Sequence, residues 1–424
     1  MKNFWFYLEP YTFLWRKQGK VMLYNTLSGK HIIFEIESIT KPIVESWDNT
    51  DNMYGVKLTE ADMAKPPIQN LISQVRDTFL GDIIEDGLVQ NRPVSLKPFL
   101  NFQMDRQRLE NLKLGNTNKQ YGDKILHHLL EMSIYVDGKC LNNCPYCSEY
   151  YKQTLCCTKN SKGFLQPLQI EKMLRLISYS SVKCINILGG DLLSNSLLLE
   201  YINILNQFGF TKNYYSHYLS INEHVCLMKS YNSTLHIIIT FPIDEVKFEQ
   251  AYKLSDIENL HVFWKFLVSS ELEYSQANTL IEKLNIKKSK IIPFYTGSNY
   301  DFFSENIFTT LEDIDLIQLN RREIFANQYV NAFDFGKITL MPDGKIYANI
   351  NHNALGDIND DIRELIYSEL VNGKSWLRIR DQAPCVDCIY QWLCPSPSNY
   401  EIAIGRHNLC NVKLPQNKNL DYDN

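Results

Sequence analysis

The sequence predicts an α/β fold of parallel βαβ units, and two observations carry that expectation. The first is regular alternation through the middle of the chain. Runs of strand character at Ser133–Val136, Lys183–Leu188, Tyr214–Ser220, His236–Phe241, His261–Val268 and Lys290–Tyr295 are separated by helix-period segments. Those segments are Leu168–Tyr179, Leu197–Phe208, Glu223–Ser230, Glu245–Leu254 and Gln276–Lys283. A tight hairpin cannot join parallel neighbours, so such alternation implies right-handed crossovers in one sheet. Six units are fewer than a closed eight-stranded barrel requires, which points to an open or partial barrel.

The second observation is a change of texture on either side. From Phe4 to about Ile84 the chain reads as short strands, Lys20–Tyr24 and His31–Ile36 around the turn signal Ser28-Gly29, then a helical stretch from Pro67 to Phe79. Leu88 to Lys119 is a polar connection with Pro93, Pro98 and Gly115, and after about Phe335 the chain is turn-rich and carries cysteines. The expected organisation is a strand-plus-helix module over residues 1–87, a connection over 88–125, the βα zone over 126–330, and a cysteine-bearing zone over 331–424 whose tail, Pro415–Asn424, is frayed.

Composition narrows the function. The chain has 424 residues, 45% of them hydrophobic, which is ample for a packed core and excludes a disordered chain. Its 43 Lys and Arg are outnumbered by 48 Asp and Glu without a long basic block, which argues against nucleic-acid binding. No run approaches the ~18 apolar residues of a membrane span, and Glu9 and Pro10 interrupt the aromatic N-terminus before signal-peptide length. The expectation is a cytoplasmic protein without membrane insertion. Disulfides are disfavoured in that compartment, so the 11 cysteines, where clustered, point to metal or redox chemistry.

Just beyond the first strand of the βα zone stand Cys140, Cys144 and Cys147, spaced three and two residues apart. Three thiolates on one loop can hold one metal centre, and loops at C-terminal strand ends are where βα folds place active sites. Three ligands leave one iron of a cubane cluster open, whereas structural zinc needs a fourth ligand, which Cys156 or Cys157 is near enough in sequence to supply. At the end of the second strand, Gly189-Gly190-Asp191 combines two residues that permit close backbone approach with a carboxylate able to accept from an ammonium group.

These residues resemble the radical S-adenosylmethionine superfamily. Its C-x3-C-x2-C loop is similar to Cys140, Cys144 and Cys147, with Tyr146 as the aromatic before the last cysteine, and its Gly-Gly-Glu motif resembles Gly189-Gly190-Asp191 with the shorter acid. The resemblance spans about Glu131 to Gly297 and implies a partial (β/α)6 TIM-like barrel. It also implies a [4Fe–4S] cluster whose open iron chelates S-adenosylmethionine, Gly189 to Asp191 contacting the methionine amine and Tyr146 lying near the adenine. Reductive cleavage fed by an external electron donor would then yield a 5′-deoxyadenosyl radical that abstracts a substrate hydrogen, the barrel supplying position.

A second set, Cys385, Cys388, Cys394 and Cys410, offers four thiolates, enough to close a site around either zinc or a [4Fe–4S] cluster. The pattern resembles the SPASM domain, whose full form holds two auxiliary clusters. Asn349 and Ser398 stand where two further cysteines of that domain are expected, so the resemblance implies one auxiliary [4Fe–4S] cluster, while Leu355–Ile358 resembles the turn linking its halves. The opening zone resembles a leader-peptide recognition element, a module that binds peptides by strand addition at a sheet edge.

Over nearly its full length, including Tyr135, Asn186–Gly190, Lys374–Arg380 and Pro395–Glu401, the chain resembles the pseudo-radical-SAM protein family of the Bacteroidales double-glycine peptide system. That family implies a ribosomal precursor peptide as partner, together with a companion radical maturase. The expectation is a radical enzyme that modifies the precursor peptide. The alternative is a catalytically silent protein that presents it to the companion. Among the remaining residues, His127, His128 and His217 read as structural, Cys184 and Cys226 as core, and Lys374, Arg378 and Arg380 as ends of a partly buried helix. Cys156 and Cys157 receive no assigned role.

Overall fold

A computed structural model describes residues 2–87, 93–98, 125–159, 163–229, 232–257 and 260–412. Most of the expected polar connection and the whole expected frayed tail lie outside these residues.

The N-terminal module contains two small antiparallel sheets. Strands β1 (Asn3–Leu8), β2 (Thr12–Lys17), β3 (Lys20–Asn25), β4 (His31–Glu35), β5 (Gly55–Thr59) and β6 (Gly81–Glu85) assemble in the orders β5-β1-β6 and β2-β3-β4. The helix Pro66–Asp77 starts with proline in its first turn, where a missing N–H costs nothing, and buries Ile68, Leu71, Ile72 and Val75 against Trp47, Phe6 and Leu58. The opposite face of the second sheet, Phe13, Trp15, Met22 and Tyr24, packs on Ile389 and Leu393 of the C-terminal cysteine segment. There the Trp15 indole donates to the Ile389 carbonyl at 2.7 Å, and the Lys17 ammonium donates to that of Val386 at 2.8 Å.

The βα zone forms β7 (Glu131–Tyr135), β8 (Cys184–Leu188), β9 (Thr211–His217), β10 (Ser233–Ile239), β11 (Val262–Val268) and β12 (Ser289–Pro293), all parallel and in sequential order. The third strand starts at Thr211 rather than Tyr214, because its opening residues are polar yet paired in the sheet, and Tyr218–Ser220 leave it as a 3-10 turn. Glu223–Met228 is likewise 3-10 rather than α-helical.

Alternation along each strand sorts the side chains. Met132, Ile134, Ile185, Ile187, Tyr214, Ile237, Ile239, Trp264 and Phe266 share a core with the helices Pro167–Ile177, Leu198–Leu205, Glu245–Ile257 and Glu271–Lys283. All of these helices therefore cover one face, as in a singly wound barrel wall, rather than both faces as in a doubly wound sheet. The other face carries Tyr135, Leu188, Tyr215, Ile238, Leu267 and Ile292 in a separate cluster with Tyr150, Cys156, Cys157 and Phe294.

The sheet does not end at six strands. Strand β13 (Lys337–Leu340) adds parallel to β7, followed by β14 (Lys345–Tyr347) and β15 (Gly356–Asp357) in antiparallel order, giving nine strands with β12 and β15 at the edges. The first strand of the cysteine-bearing zone is thus part of the same sheet as the βα units. Among the described residues no helix is long and apolar enough to cross a membrane.

Candidate metal and cofactor site

The first cysteine loop sits at the C-terminal ends of β7 and β8, and the chain holds it there by backbone bonds. Gly190 N–H donates to the Asp137 carbonyl at 2.8 Å, and Asp191 N–H donates to that of Lys139 at 2.7 Å. A Cβ on Gly190 would stand 2.2 Å from the Lys139 oxygen, and one on Gly189 3.2 Å from the Asp137 oxygen. The backbone that approaches these glycines is the cysteine loop itself.

Cys140, Cys144 and Cys147 are half-buried free thiols. Burial, followed by the neighbouring sulfurs, pushes the Cys144 thiol up to about 12. It becomes a thiolate only when donors or a metal stabilise the charge. Two donors are in place. His217 at the end of β9 puts Nε2 at 3.5 Å from the Cys144 sulfur and 3.0 Å from the Thr240 hydroxyl, and Thr240 also hydrogen-bonds that sulfur. Because His217 Nδ1 accepts from the Leu219 N–H at 3.3 Å, the ring proton resides on Nε2. Burial lowers the imidazole to about 4 and keeps it neutral. The sequence reading of His217 as merely structural missed this contact, because nothing local ties position 217 to 144.

Asp191 lies beside the loop with its Oδ1 buried and without a hydrogen-bond partner. It lines a cavity of about 340 Å³ together with Asp137, Lys139, Cys140 and Asn195. A buried carboxylate oxygen with no donor is costly unless a ligand supplies one. The orphan atom therefore fits an ammonium-bearing group such as the amino group of S-adenosylmethionine. Tyr146 turns the chain in a left-handed conformation (φ 57°) into the helix Cys147–Gln153, and its 47%-exposed ring packs on Phe294 at 5.7 Å and Tyr150 at 6.5 Å.

Cys156 and Cys157 lie under this loop on the inner face of the sheet, both buried. The Tyr135 hydroxyl donates to the Cys156 carbonyl at 2.9 Å and the Thr158 N–H donates to that of Gly189 at 3.2 Å. Two cysteines read as core are not. Cys226 is exposed, and half-buried Cys184 accepts from the Asn213 amide at 3.0 Å.

The second set is brought together as well. Cys385, Cys388, Cys394 and Cys410 line one pocket with Arg380, Gln391 and Leu409. Cys410 reaches it because Thr309 and Cys410 form a parallel bridge, and its sulfur accepts from the Val412 N–H at 3.2 Å. Four free thiols around one pocket are a donor set for a closed metal centre, and zinc or a cubane would both be satisfied by it. As the side chains stand, no three His, Cys, Asp or Glu among the described residues converge on a single ion.

Where two further cysteines would be expected, the structure has a buried polar network. The Asn349 amide donates to Asp334 at 3.0 Å and to Asn399 at 2.7 Å, Arg378 pairs with Asp334 at 3.3 Å, and Ser398 caps the helix Asn399–Ile404. Burial pushes the Asp334 carboxyl up against the pull of Asn349 and Arg378. Arg380 forms a 2.9 Å pair with Glu401, both nearly inaccessible. Residues 374–380 are thus turns with carboxylate partners rather than the expected helix with solvated ends, since two buried acids sit within reach of the guanidinium groups.

These features define an α/β chain with a nine-stranded sheet whose seven strands from β12 to β13 are parallel, helices of the βα zone on one face, and two groups of thiols as candidate metal centres. Among solved structures its fold is similar to Streptococcus suis SuiB bound to precursor peptide SuiA, with a TM-score of 0.51, 12% identity, and coverage of 96% of this chain and 100% of that chain. SuiB alone aligns at 0.51 with 13% identity over the same shares, and SuiB bound to S-adenosylmethionine at 0.49 with 13% identity over 96% and 100%. No protein-family model matches the sequence. No curated protein matches it either.

Proposed function

We propose that the chain is a radical S-adenosylmethionine protein that modifies a ribosomally made precursor peptide. The observation that carries this reading is the orphaned Asp191 carboxylate oxygen beside a three-thiol loop at the strand ends of a parallel sheet. Cys140, Cys144 and Cys147 would hold a [4Fe–4S] cluster, and Gly189 to Asp191 would orient the methionine amine of the cosubstrate, with Tyr146 near its adenine. When bound, this pair supplies a 5′-deoxyadenosyl radical for hydrogen abstraction, given an electron from an external donor. His217 and Thr240 would stabilise charge on Cys144.

Cys385, Cys388, Cys394 and Cys410 would hold one auxiliary [4Fe–4S] cluster in a SPASM-like domain over 331–424, next to the partial barrel over 126–330. The N-terminal module, residues 1–87, would dock the peptide. The fold shared with SuiB, a protein solved with its precursor peptide, supports that partner. So does a groove of about 800 Å³ between the helix Pro66–Asp77, Glu9, Tyr11 and Asp82. The protein would work in the cytoplasm.

A second reading, a catalytically silent partner of a companion maturase, is favoured by one observation. Leu155, Cys156 and Cys157 occupy the inner face of the sheet, where a radical enzyme needs room for substrate. Anaerobic reconstitution followed by dithionite and S-adenosylmethionine separates the two. The enzyme produces 5′-deoxyadenosine, at least with the precursor peptide present, whereas the silent partner produces none. About eight irons per chain fit the two cubanes, and about twelve would exclude the single auxiliary cluster.

A further inference from the structure

The inner face of the sheet carries a polar group of residues that the cysteine chemistry does not use. At its centre is the Tyr215 ring on β9. His236 on β10 stacks against that ring at 4.5 Å with the two planes 8° apart, and the Lys265 ammonium on β11 stands over it at 4.6 Å. Among the described residues this ammonium makes no hydrogen bond and no ion pair. The acid whose charge reaches it, Glu131, is already committed: it pairs with Lys337 at 3.5 Å and accepts from the Asn186 amide at 2.6 Å. Asn186 is fixed in turn, donating to the Ser133 hydroxyl and accepting from the Asn213 amide, both at 3.1 Å. His236 Nδ1 is buried and has no partner. Burial, aided by Lys290 opposite it on β12, lowers the Lys265 ammonium to about 8 against the pull of Cys156 and Glu131. A half-buried cation without a counter-ion and a buried ring nitrogen without a partner are both costly unless a ligand supplies the missing groups.

We propose that this group is a binding site for a small carboxylate, with the Lys265 ammonium as counter-ion, His236 Nδ1 as second donor and the Tyr215 ring as platform. Charge and oxygen count select that class. Glu131 and Lys337 offset each other and Lys290 is exposed, which leaves one uncompensated positive charge, on Lys265. A carboxylate brings one negative charge and two oxygens, one for the ammonium and one for a neutral imidazole carrying its proton on Nδ1. A dianionic phosphate would leave charge and oxygens without partners. His236 and Lys265 are each only half-buried, so the site is within reach of solvent. Ile238 and Leu267, each two residues further along its strand, stand between it and the strand-end cysteine loop. The site therefore does not depend on what that loop holds.

The test treats the full wild-type chain with a limiting N-hydroxysuccinimidyl ester and reads acylation of Lys265 by peptide mass spectrometry. Propionate should slow that acylation saturably, about 10-fold at ten times its midpoint concentration, while propionamide, its uncharged counterpart, leaves the rate unchanged. A capped hexapeptide amide with a single Glu, set against its Gln version, distinguishes the source of the carboxylate. Protection by the Glu peptide at a lower concentration than propionate assigns it to a peptide side chain, and protection by propionate alone assigns it to a free small molecule. Urea midpoints at constant ionic strength give a second readout: propionate should raise that of the wild type and leave those of Lys265→Met and His236→Phe in place. Equal protection by propionate and propionamide, stronger protection by inorganic phosphate, or the same propionate shift in Lys265→Met as in the wild type overturns the proposal.

Discussion

His217 Nε2 lies 3.5 Å from the Cys144 sulfur, joining the end of β9 to a loop that follows β7. With Nδ1 committed to the Leu219 N–H, the ring has only its Nε2 proton to offer this sulfur and Thr240. Hydrogen bonds to cluster sulfurs stabilise the reduced, more negative state. With the cluster proposed at Cys140, Cys144 and Cys147 reconstituted, His217→Phe should lower its reduction potential and weaken its retention on the order of 10-fold or more, with His217→Gln, which keeps an N–H donor, recovering part of both. Redox titration followed by electron paramagnetic resonance measures this. Identical potentials for wild type and His217→Phe would contradict it.

Gly190 is the point of closest approach between the two strand-end loops. Because an added Cβ would stand 2.2 Å from the Lys139 backbone oxygen, Gly190→Ala must displace the cysteine loop. On the proposed two-cluster reading, the expected outcome is loss of about half the iron, that of the centre at Cys140, Cys144 and Cys147, with that of the C-terminal centre retained, as read by iron assay and by the residual spectrum.

The Arg380–Glu401 pair is buried, with side chains 9% and 4% exposed. Removing one member leaves an uncompensated buried charge, which typically costs about 3–5 kcal/mol. Glu401→Ala also removes the side chain that caps Ser398, so urea unfolding of the C-terminal region should shift to markedly lower denaturant. Replacing exposed Glu312 should leave the midpoint in place.

His236, on the inner face of β10, stacks on Tyr215 at 4.5 Å and has a buried Nδ1 without a partner. Burial first, then the Lys265 charge on β11, lower the imidazole to about 3. The unfolded chain protonates this residue at about 6.5, so its contribution to stability is complete above that pH and is lost as the pH falls toward 3. The loss is bounded by about 1.4 kcal/mol per pH unit and is smaller in practice, because the ring is partly solvated. Urea midpoints of the metal-free protein between about pH 7 and pH 5 should fall more steeply for wild type than for His236→Gln.

Much of the wall of the sheet was legible in the sequence. Ile185, Ile187, Tyr214 and Ile237 alternate with inward residues at a period of two, the helices between them repeat at 3.6, and both patterns are local. The two cysteine sets were equally legible, because Cys140, Cys144 and Cys147 are close in sequence, as are Cys385, Cys388 and Cys394. The joining of β13 to β7 was not, because a strand of four residues next to a hairpin carries no signal of which distant edge it will pair with. The same holds for His217 beside Cys144 and for the buried partners of Arg378 and Arg380.

The sequence alone therefore determined the alternating sheet and the two groups of thiols. Only the tertiary structure decided what surrounds them: a neutral histidine on Cys144, an orphaned oxygen on Asp191, an ion-paired network around Asn349 and Asp334, and Cys156 and Cys157 buried on the inner face of the sheet. The physical reason is range. Periodicity and ligand spacing are written within a few residues, whereas burial, proton position and the partners of a buried charge depend on which segments the fold brings together.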